Sequence, residues 1–117
     1  PIGHYDIIKR AKALFPKVIV VVLDNSEKNF LFSSEKRFMS VKACFSDDKD
    51  VSVILWNGLF ADVVLQTENP VIVRGARTAV DFEYERMLHE INRELSGAET
   101  VILPSKRENE YISSTFV

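Results

Sequence analysis

Cysteine, glycine and long apolar runs are scarce in this chain, and each scarcity excludes a class of protein. One cysteine, Cys44, among 117 residues excludes an internal disulfide and favours a reducing compartment, so we expect a cytoplasmic protein. The four glycines form neither a G-x-x-x-x-G-K-[ST] phosphate loop nor a G-x-G-x-x-G fingerprint. The longest apolar run, Val18–Leu23, has the length of a strand, whereas a membrane-spanning helix needs roughly 20 residues. We therefore expect no membrane partner.

Positive charge is not in excess, and histidine is scarce. The formal net charge of −2 disfavours broad nucleic-acid binding, which depends on a basic surface, so we expect no nucleic-acid partner. A few clustered Lys and Arg can still bind the phosphates of a small ligand. The histidines, His4 and His89, have no second His or Cys at metal-ligand spacing, so we expect no metal bound by protein side chains.

Four short runs rich in Val and Ile predict strands, and helical patterns lie between them. The predicted strands are Val18–Leu23, Val51–Leu55, Val71–Val73 and Thr100–Leu103. Most of them barely alternate with polar residues, which is typical of a parallel sheet with helices on both faces. The alternation of helix and strand predicts an α/β domain. In such domains ligands bind beyond the carboxyl ends of the strands.

The last predicted helix has the clearest pattern. Asp81 is predicted to cap its start, and Gly97 follows as a stop signal. Apolar side chains recur inside it at offsets of 0, 4, 7 and 11, and we expect one buried stripe from Tyr84, Leu88, Ile91 and Leu95. Cys44, in an earlier predicted helix, is interpreted as a buried thiol.

Three polar groups stand beside these elements, and each admits a structural and a functional interpretation. Gly3-His4 is either an ordinary helix start or an anion site at a helix N-terminus. In Arg74-Gly75-Ala76-Arg77, the arginines either make surface ion pairs or bind phosphate oxygens, with the glycine keeping a loop open to the ligand. The hydroxyls of Tyr111-Ile112-Ser113-Ser114-Thr115 either cap a helix or cradle a phosphate. Lys28 taken alone is a surface lysine.

Together, these groups resemble the motifs of bacterial phosphopantetheine adenylyltransferases. Gly3–Ile8 resembles G-H-x-D-[IV]-[IV], and Phe32–Arg37 resembles F-[ST]-x-E-E-R. Val71–Arg77 resembles V-I-V-R-G-L-R, and Tyr111–Thr115 resembles [FY]-I-S-S-[ST]. D-F-E-Y-E and a later N-R are matched by Asp81–Glu85 and Asn92-Arg93. The resemblance extends from Gly3 to Val117.

The resemblance implies a Rossmann-like nucleotidyltransferase fold and a specific reaction. The enzyme would transfer the adenylyl group of ATP to 4′-phosphopantetheine, giving dephospho-CoA and pyrophosphate in coenzyme A biosynthesis. It also implies Mg²⁺ with the ATP, dephospho-CoA and CoA as product-like ligands, and a homohexamer. Two alternatives stay open: a nucleotidyltransferase of the same fold with a different acceptor, and a non-catalytic nucleotide-binding module.

The resemblance also implies roles for individual residues. The implied catalytic residues are His4, Lys28 and Arg77. The implied ATP-binding residues are His4, Gly75, Ala76, Arg77, Glu85, Asn109, Glu110, Tyr111, Ile112, Ser113, Ser114 and Thr115. The implied acceptor-binding residues are Lys28, Phe60, Arg74, Tyr84 and Asn92.

Two parts of the family pattern have no counterpart here. They are the first strand with its G-[ST]-F-D-P-[IV]-T-x segment and the arginine that follows I-S-S-T. We therefore expect residues 1–117 to form a single nucleotidyltransferase domain that lacks its first strand and its C-terminal helix.

Overall fold

Helices and strands alternate along the chain, as the sequence predicts. The structure, a computed structural model, describes residues 2–24 and 34–105. Its helices are α1 (Ile2–Leu14), α2 (Ser34–Cys44), α3 (Phe60–Gln66) and α4 (Ala79–Ser96). Its strands are β1 (Val18–Leu23), β2 (Val51–Trp56), β3 (Val71–Ala76) and β4 (Glu99–Pro104). The predicted α/β class is confirmed, with three strands longer than predicted.

The strands are parallel, and among the described residues they form two pairs. β1 pairs with β2 from Val18 opposite Val51, and β3 pairs with β4 from Val71 opposite Glu99. α1 contacts both β1 and β3, so it connects one pair to the other. Parallel strands joined through helices confirm the Rossmann-like arrangement. A single domain that lacks its first strand and C-terminal helix stays a prediction.

A close contact at Gly75 fixes α1 against β3. A Cβ atom at this position would lie 3.0 Å from both Cγ1 and Cδ1 of Ile7. Further along α1, Arg10 Nη1 donates a hydrogen bond of 2.6 Å to the carbonyl oxygen of Pro104 at the end of β4. The expectation that Gly75 stands in an open loop is wrong. β3 continues to Ala76, so the glycine lies in a strand. Its missing side chain leaves room for Ile7 of α1 to pack closely against the strand.

The core is small and mostly aliphatic. Val64 of α3, Ile72 of β3 and Ala98 before β4 are buried together, with Phe60 packed against them. Cys44 is exposed, so the expected buried thiol is wrong. In α2 the half-buried apolar side chains are instead those of Phe38 and Val41. None of the helices in the described part of the chain is long and apolar enough to cross a bilayer.

α4 faces the strands with a polar side, which contradicts the expected buried stripe. Of the four expected residues Leu88 is half-buried, whereas Tyr84, Ile91 and Leu95 are 55%, 48% and 53% exposed. The buried residue of the helix is Glu85, and His89 Nδ1 lies 3.1 Å from Thr100 Oγ1 of β4. The stripe is wrong because the side of α4 facing β3 and β4 carries hydrogen-bonding residues, which leaves the apolar side outward.

The start of α4 is defined by a reciprocal capping box. Thr78, rather than the predicted Asp81, is the N-cap, and its hydroxyl accepts a hydrogen bond from the Asp81 N–H at 3.1 Å. The Asp81 carboxylate accepts in return from the Thr78 N–H at 3.3 Å. At the other end, Gly97 adopts φ 79°, which is the left-handed conformation typical of a helix stop.

Replacing Gly75 with alanine tests the contact between α1 and β3. We expect Gly75→Ala to lower the free energy of unfolding by about 1–3 kcal/mol, because the new methyl group overpacks against Ile7. The loss should shrink when Ile7→Ala is already present, since the colliding atoms are then gone. Urea unfolding of the two single variants and the double variant measures both effects. Equal losses in both backgrounds would contradict the contact.

Candidate functional site

Basic side chains collect where β1 and β3 end. His4 lies in the first turn of α1, Arg74 lies near the end of β3, and Arg37 lies in the first turn of α2. Arg37 Nη2 is 3.4 Å from the carbonyl oxygen of Leu23, the last residue of β1. These three residues come from three separate elements. Their proximity therefore depends on α1 connecting the two strand pairs.

Positive charges at this edge affect the pKa of His4. Partial burial of the imidazole lowers its pKa, and nearby positive charges, among them Arg74 and then Arg37, lower it further. An imidazole beside positive charges favours its neutral form, because protonation would add a like charge. Positive side chains therefore act at this edge and suit an anionic ligand, although the chain as a whole is acidic.

Arg74 is bound by a carboxylate from the neighbouring helix. Its Nε lies 2.8 Å from Oε1 of Glu85, and its Nη2 lies 3.1 Å from Oε2. Glu85 is 7% exposed, whereas the Arg74 side chain is 45% exposed. The ion pair is therefore buried on the carboxylate side and open to solvent on the guanidinium side.

Arg77 lies between β3 and α4, and its backbone is held by the start of that helix. Its N–H donates a hydrogen bond of 3.2 Å to Oδ2 of Asp81. This bond is the main reason that the pKa of Asp81 lies below its usual value, with the Thr78 N–H acting in the same direction. The β3 end of the segment is fixed as well, because the Ser105 N–H bonds to the carbonyl oxygen of Ala76 at 2.9 Å.

The other predicted acceptor-binding residues lie on α3 and α4. Phe60 begins α3 and packs against the core cluster of Val64, Ile72 and Ala98. Tyr84 is exposed and Asn92 is half-buried, two turns apart on α4. Lys28 and the segment Asn109–Thr115 lie outside the described residues, so their predicted roles stay predictions.

The described residues offer a metal ion no ready-made ligand set. Within residues 2–24 and 34–105, no three His, Cys, Asp or Glu side chains lie together. The carboxylate at the site, Glu85, is already bound to Arg74. An open groove elsewhere, between β2 and α3, is lined by none of the predicted site residues that the structure describes; its lining is Ile19, Ser52, Ile54, Trp56, Val63, Gln66 and Thr67.

Sequence reasoning gave Arg37 no role, although the structure places it at this edge. It belongs to the segment Phe32–Arg37, which resembles F-[ST]-x-E-E-R as a whole but implies no role for this residue. A basic residue in the first turn of a helix is unfavourable for the helix dipole, and this was the available signal. Arg37 Nη2 lies 3.4 Å from both Ser34 Oγ and the Leu23 carbonyl oxygen.

Comparison with known proteins gives concordant results. A family profile described as cytidylyltransferase-like matches residues 2–117. A protein of Porphyromonas gingivalis, named phosphopantetheine adenylyltransferase, is 41% identical over 115 residues, which are 98% of this chain and 75% of that protein. A protein of Actinobacillus succinogenes with the same name is 43% identical over 116 residues, 98% of this chain and 72% of its own length. A third protein with this name, from Flavobacterium johnsoniae, is 39% identical over 116 residues, which are 99% of this chain and 76% of that protein.

The lowered pKa of His4 predicts a pH-dependent contribution to stability. Between its folded pKa and its unfolded value of about 6.5, the unfolded chain binds more protons, so this contribution rises with pH and is constant above that window. We expect the stability of the unaltered protein relative to His4→Gln to increase from about pH 5 to about pH 7.5. Urea unfolding at several pH values measures the difference. A difference independent of pH would contradict the lowered pKa.

Proposed function

Because this chain belongs to the cytidylyltransferase-like family, as a member of its phosphopantetheine adenylyltransferases, we propose that it transfers the adenylyl group of ATP to 4′-phosphopantetheine. The products are dephospho-CoA and pyrophosphate. The observation that carries this proposal is that His4, at the start of α1, lies within the electrostatic influence of Arg74 and Arg37, at the ends of β3 and β1. Such an edge suits two substrates that both present phosphates at the carboxyl ends of parallel strands.

The reaction needs no general base. A phosphate oxygen of 4′-phosphopantetheine forms a bond to the α-phosphorus of ATP. The bond from that phosphorus to the bridging oxygen breaks, and pyrophosphate leaves with the electron pair. The attacking phosphate is already ionised near neutral pH, so catalysis consists of positioning the phosphates and stabilising their charge.

Three cations would stabilise the charge that builds in the transition state: His4, Lys28 and Arg77. In the ligand-free protein the pKa of His4 is lowered by burial and by positive neighbours. Anionic phosphates beside the imidazole act in the opposite direction and favour its charged form. ATP binding would therefore favour the imidazolium form of His4, in which both ring nitrogens are hydrogen-bond donors to the reacting phosphates.

The two substrates would occupy adjacent parts of this edge. On the ATP side we place His4, Gly75, Ala76, Arg77 and Glu85 with the segment Asn109–Thr115, and on the acceptor side Arg74, Lys28, Phe60, Tyr84 and Asn92. The Asp81 carboxylate supports this arrangement, because it fixes the backbone of Arg77 where the segment turns from β3 into α4.

Mg²⁺ would arrive with the nucleotide rather than be bound by a protein cage. Mg²⁺ keeps several waters and is often held by substrate phosphates. The described side chains are compatible with an ion held by substrate phosphates. Glu85 is bound to Arg74, and no three His, Cys, Asp or Glu side chains cluster within the described ranges. When bound, the ion would neutralise phosphate charge.

The ligands and location follow from the same reaction. We propose that ATP and 4′-phosphopantetheine are the substrates, that dephospho-CoA and CoA bind as product-like ligands, and that the protein works in the cytoplasm. One cysteine in the chain is in keeping with a reducing compartment.

We also propose that the protein is a homohexamer. The number six rests on the resemblance, and the outer side of α4 supports self-association. Five exposed apolar residues recur there at helical spacing and form what we name the α4 stripe: Val80, Tyr84, Met87, Ile91 and Leu95. Contiguous apolar surface of this kind is typical of protein–protein contacts.

Assays of pyrophosphate release test the proposed reaction. We expect release with ATP and 4′-phosphopantetheine together, formation of dephospho-CoA, and no release with ATP alone or with nicotinamide mononucleotide as acceptor. His4→Ala should lower kcat by roughly 100- to 1,000-fold, with a smaller change in ATP affinity, because the contact strengthens in the transition state.

Each other outcome excludes a specific part of this proposal. Release with a different acceptor would assign another nucleotidyltransferase reaction, and calorimetric ATP binding without any release would indicate a non-catalytic module. Near-normal turnover of His4→Ala would exclude His4 from charge stabilisation.

Sedimentation measures the assembly. We expect a hexamer for the unaltered protein and a smaller species for Met87→Glu, because a charge in the α4 stripe opposes burial of that surface. Arg86→Ala is the matched control on the same helix, since Arg86 contacts only its exposed neighbours Glu83 and Glu90 among the described residues. A monomer for the unaltered protein would contradict the proposal.

A further inference from the structure

The resemblance implies that Glu85 contacts ATP, and the structure also gives its carboxylate a protein partner, Arg74. Both carboxylate oxygens accept hydrogen bonds from Arg74, Oε1 from Nε and Oε2 from Nη2. Only 7% of the residue is exposed, so it has little surface to offer a ligand. It is also the only buried charged or polar residue of the described ranges.

The guanidinium bound in this way retains hydrogen-bonding capacity on its exposed side. A guanidinium has five N–H groups in a plane. Glu85 uses the edge formed by Nε and Nη2, which leaves both N–H groups of Nη1 and one of Nη2. One N–H of Nη1 and the remaining N–H of Nη2 form a second edge that can bind an oxyanion bidentately. The Arg74 side chain is 45% exposed, so the pairing with Glu85 does not enclose it.

Glu85 also removes the conformational freedom that would weaken such an edge. An arginine side chain carries about 2 kcal/mol of rotamer entropy, which an unbound side chain loses on binding a ligand. Two charge-assisted hydrogen bonds to a buried carboxylate fix the guanidinium before any ligand arrives. The carboxylate is itself fixed, because it belongs to α4, which packs on β3 and β4.

The register of α4 extends this arrangement to Arg77. Asp81 and Glu85 are four residues apart, and such residues share one side of a helix. Asp81 accepts a hydrogen bond from the backbone of Arg77, and one turn later Glu85 accepts two from the side chain of Arg74. One helical turn therefore fixes both ends of the R-G-x-R segment. This gives a physical reason for an acidic residue at each end of D-F-E-Y-E.

We propose that Glu85 is a positioning residue: it binds the Nε–Nη2 edge of Arg74 so that the adjacent Nη1–Nη2 edge is presented to the phosphate of the acceptor substrate. The role rests on the proposed function, which places Arg74 on the acceptor side. This action through Arg74 is separate from the contact with ATP that the resemblance implies for Glu85.

Positioning and simple charge predict opposite effects of removing the carboxylate. By Coulomb's law, a negative charge beside a phosphate site weakens phosphate binding, so Glu85→Gln would then lower the KM for 4′-phosphopantetheine. If the carboxylate positions Arg74, Glu85→Gln raises that KM, because the guanidinium loses its fixed orientation. The direction of the change therefore separates the two effects.

Steady-state kinetics of the full chain with both substrates tests the proposal. We expect Glu85→Gln to raise the KM for 4′-phosphopantetheine by roughly tenfold to a hundredfold, the size of a lost hydrogen bond to a charged group. The KM for ATP reports separately on the contact with ATP that the resemblance implies for Glu85. In an Arg74→Ala background, Glu85→Gln should have no further effect on the acceptor KM, since it acts on the acceptor through Arg74.

Two further variants keep the test decisive. Glu83→Gln on the same helix is the matched control, because Glu83 is exposed and pairs with Arg86 at 3.6 Å; it should leave both KM values unchanged. Glu85→Asp keeps the charge but shortens the side chain. We expect Glu85→Asp to raise the acceptor KM less than Glu85→Gln does. If Glu85→Gln does not fold, the acceptor KM of Glu85→Asp, with and without Arg74→Ala, tests the proposal instead.

The remaining outcomes overturn the proposal in distinguishable ways. An acceptor KM that is unchanged or lowered, an effect confined to ATP, or equal effects of Glu85→Gln with and without Arg74 would each overturn the positioning role while leaving the reaction intact. Failure of the unaltered protein to release pyrophosphate with 4′-phosphopantetheine would instead overturn the proposed function, and the positioning role with it.

Discussion

The ion pair between Arg74 and Glu85 constrains the rest of the site. A carboxylate removed from water costs several kcal/mol unless a charged partner and hydrogen bonds compensate. Arg74 supplies both, through bonds of 2.8 and 3.1 Å to the two carboxylate oxygens. For this pair to form, α4 must present Glu85 towards β3. That requirement sets the rotation of the helix and therefore the direction of its apolar side.

Several other features follow from this rotation. His89 is brought next to Thr100 of β4, and the α4 stripe is directed away from the strands. Asp81 meets the backbone of Arg77, so the capping box that starts the helix also shapes the segment after β3. On the other side of β3, Gly75 admits Ile7 of α1, whose first turn carries His4. The packing of two helices on one strand thus assembles the positive edge.

Much of this fold could be predicted from residue patterns, because the strands are short runs of Val and Ile separated by helical periodicity. The direction of α4 could not be predicted in this way. A stripe at helical offsets indicates that its residues share a side, but the pattern is the same whether that side packs inside the chain or against another chain. The role of Gly75 was also hidden, since a glycine in a strand and one in a loop look alike in sequence.

The site itself was predicted only in part. The arginines of R-G-x-R and the first histidine were identified from motifs, and the structure places His4 within the electrostatic influence of Arg74. The burial of Glu85 was not foreseen, because a helical glutamate is usually exposed and its partner is eleven residues away in sequence. Arg37 was overlooked because its proximity to β1 is a tertiary contact.

The central claim is that Glu85 presents one edge of Arg74 to the acceptor phosphate, and a crystal structure of the full protein with bound 4′-phosphopantetheine tests it most directly. The account predicts phosphate oxygens within hydrogen-bonding distance of Nη1 and Nη2 of Arg74, while Nε and Nη2 remain bonded to Glu85. An Arg74 side chain that leaves Glu85 to reach the phosphate, or a Glu85 carboxylate that itself contacts the ligand, would contradict it.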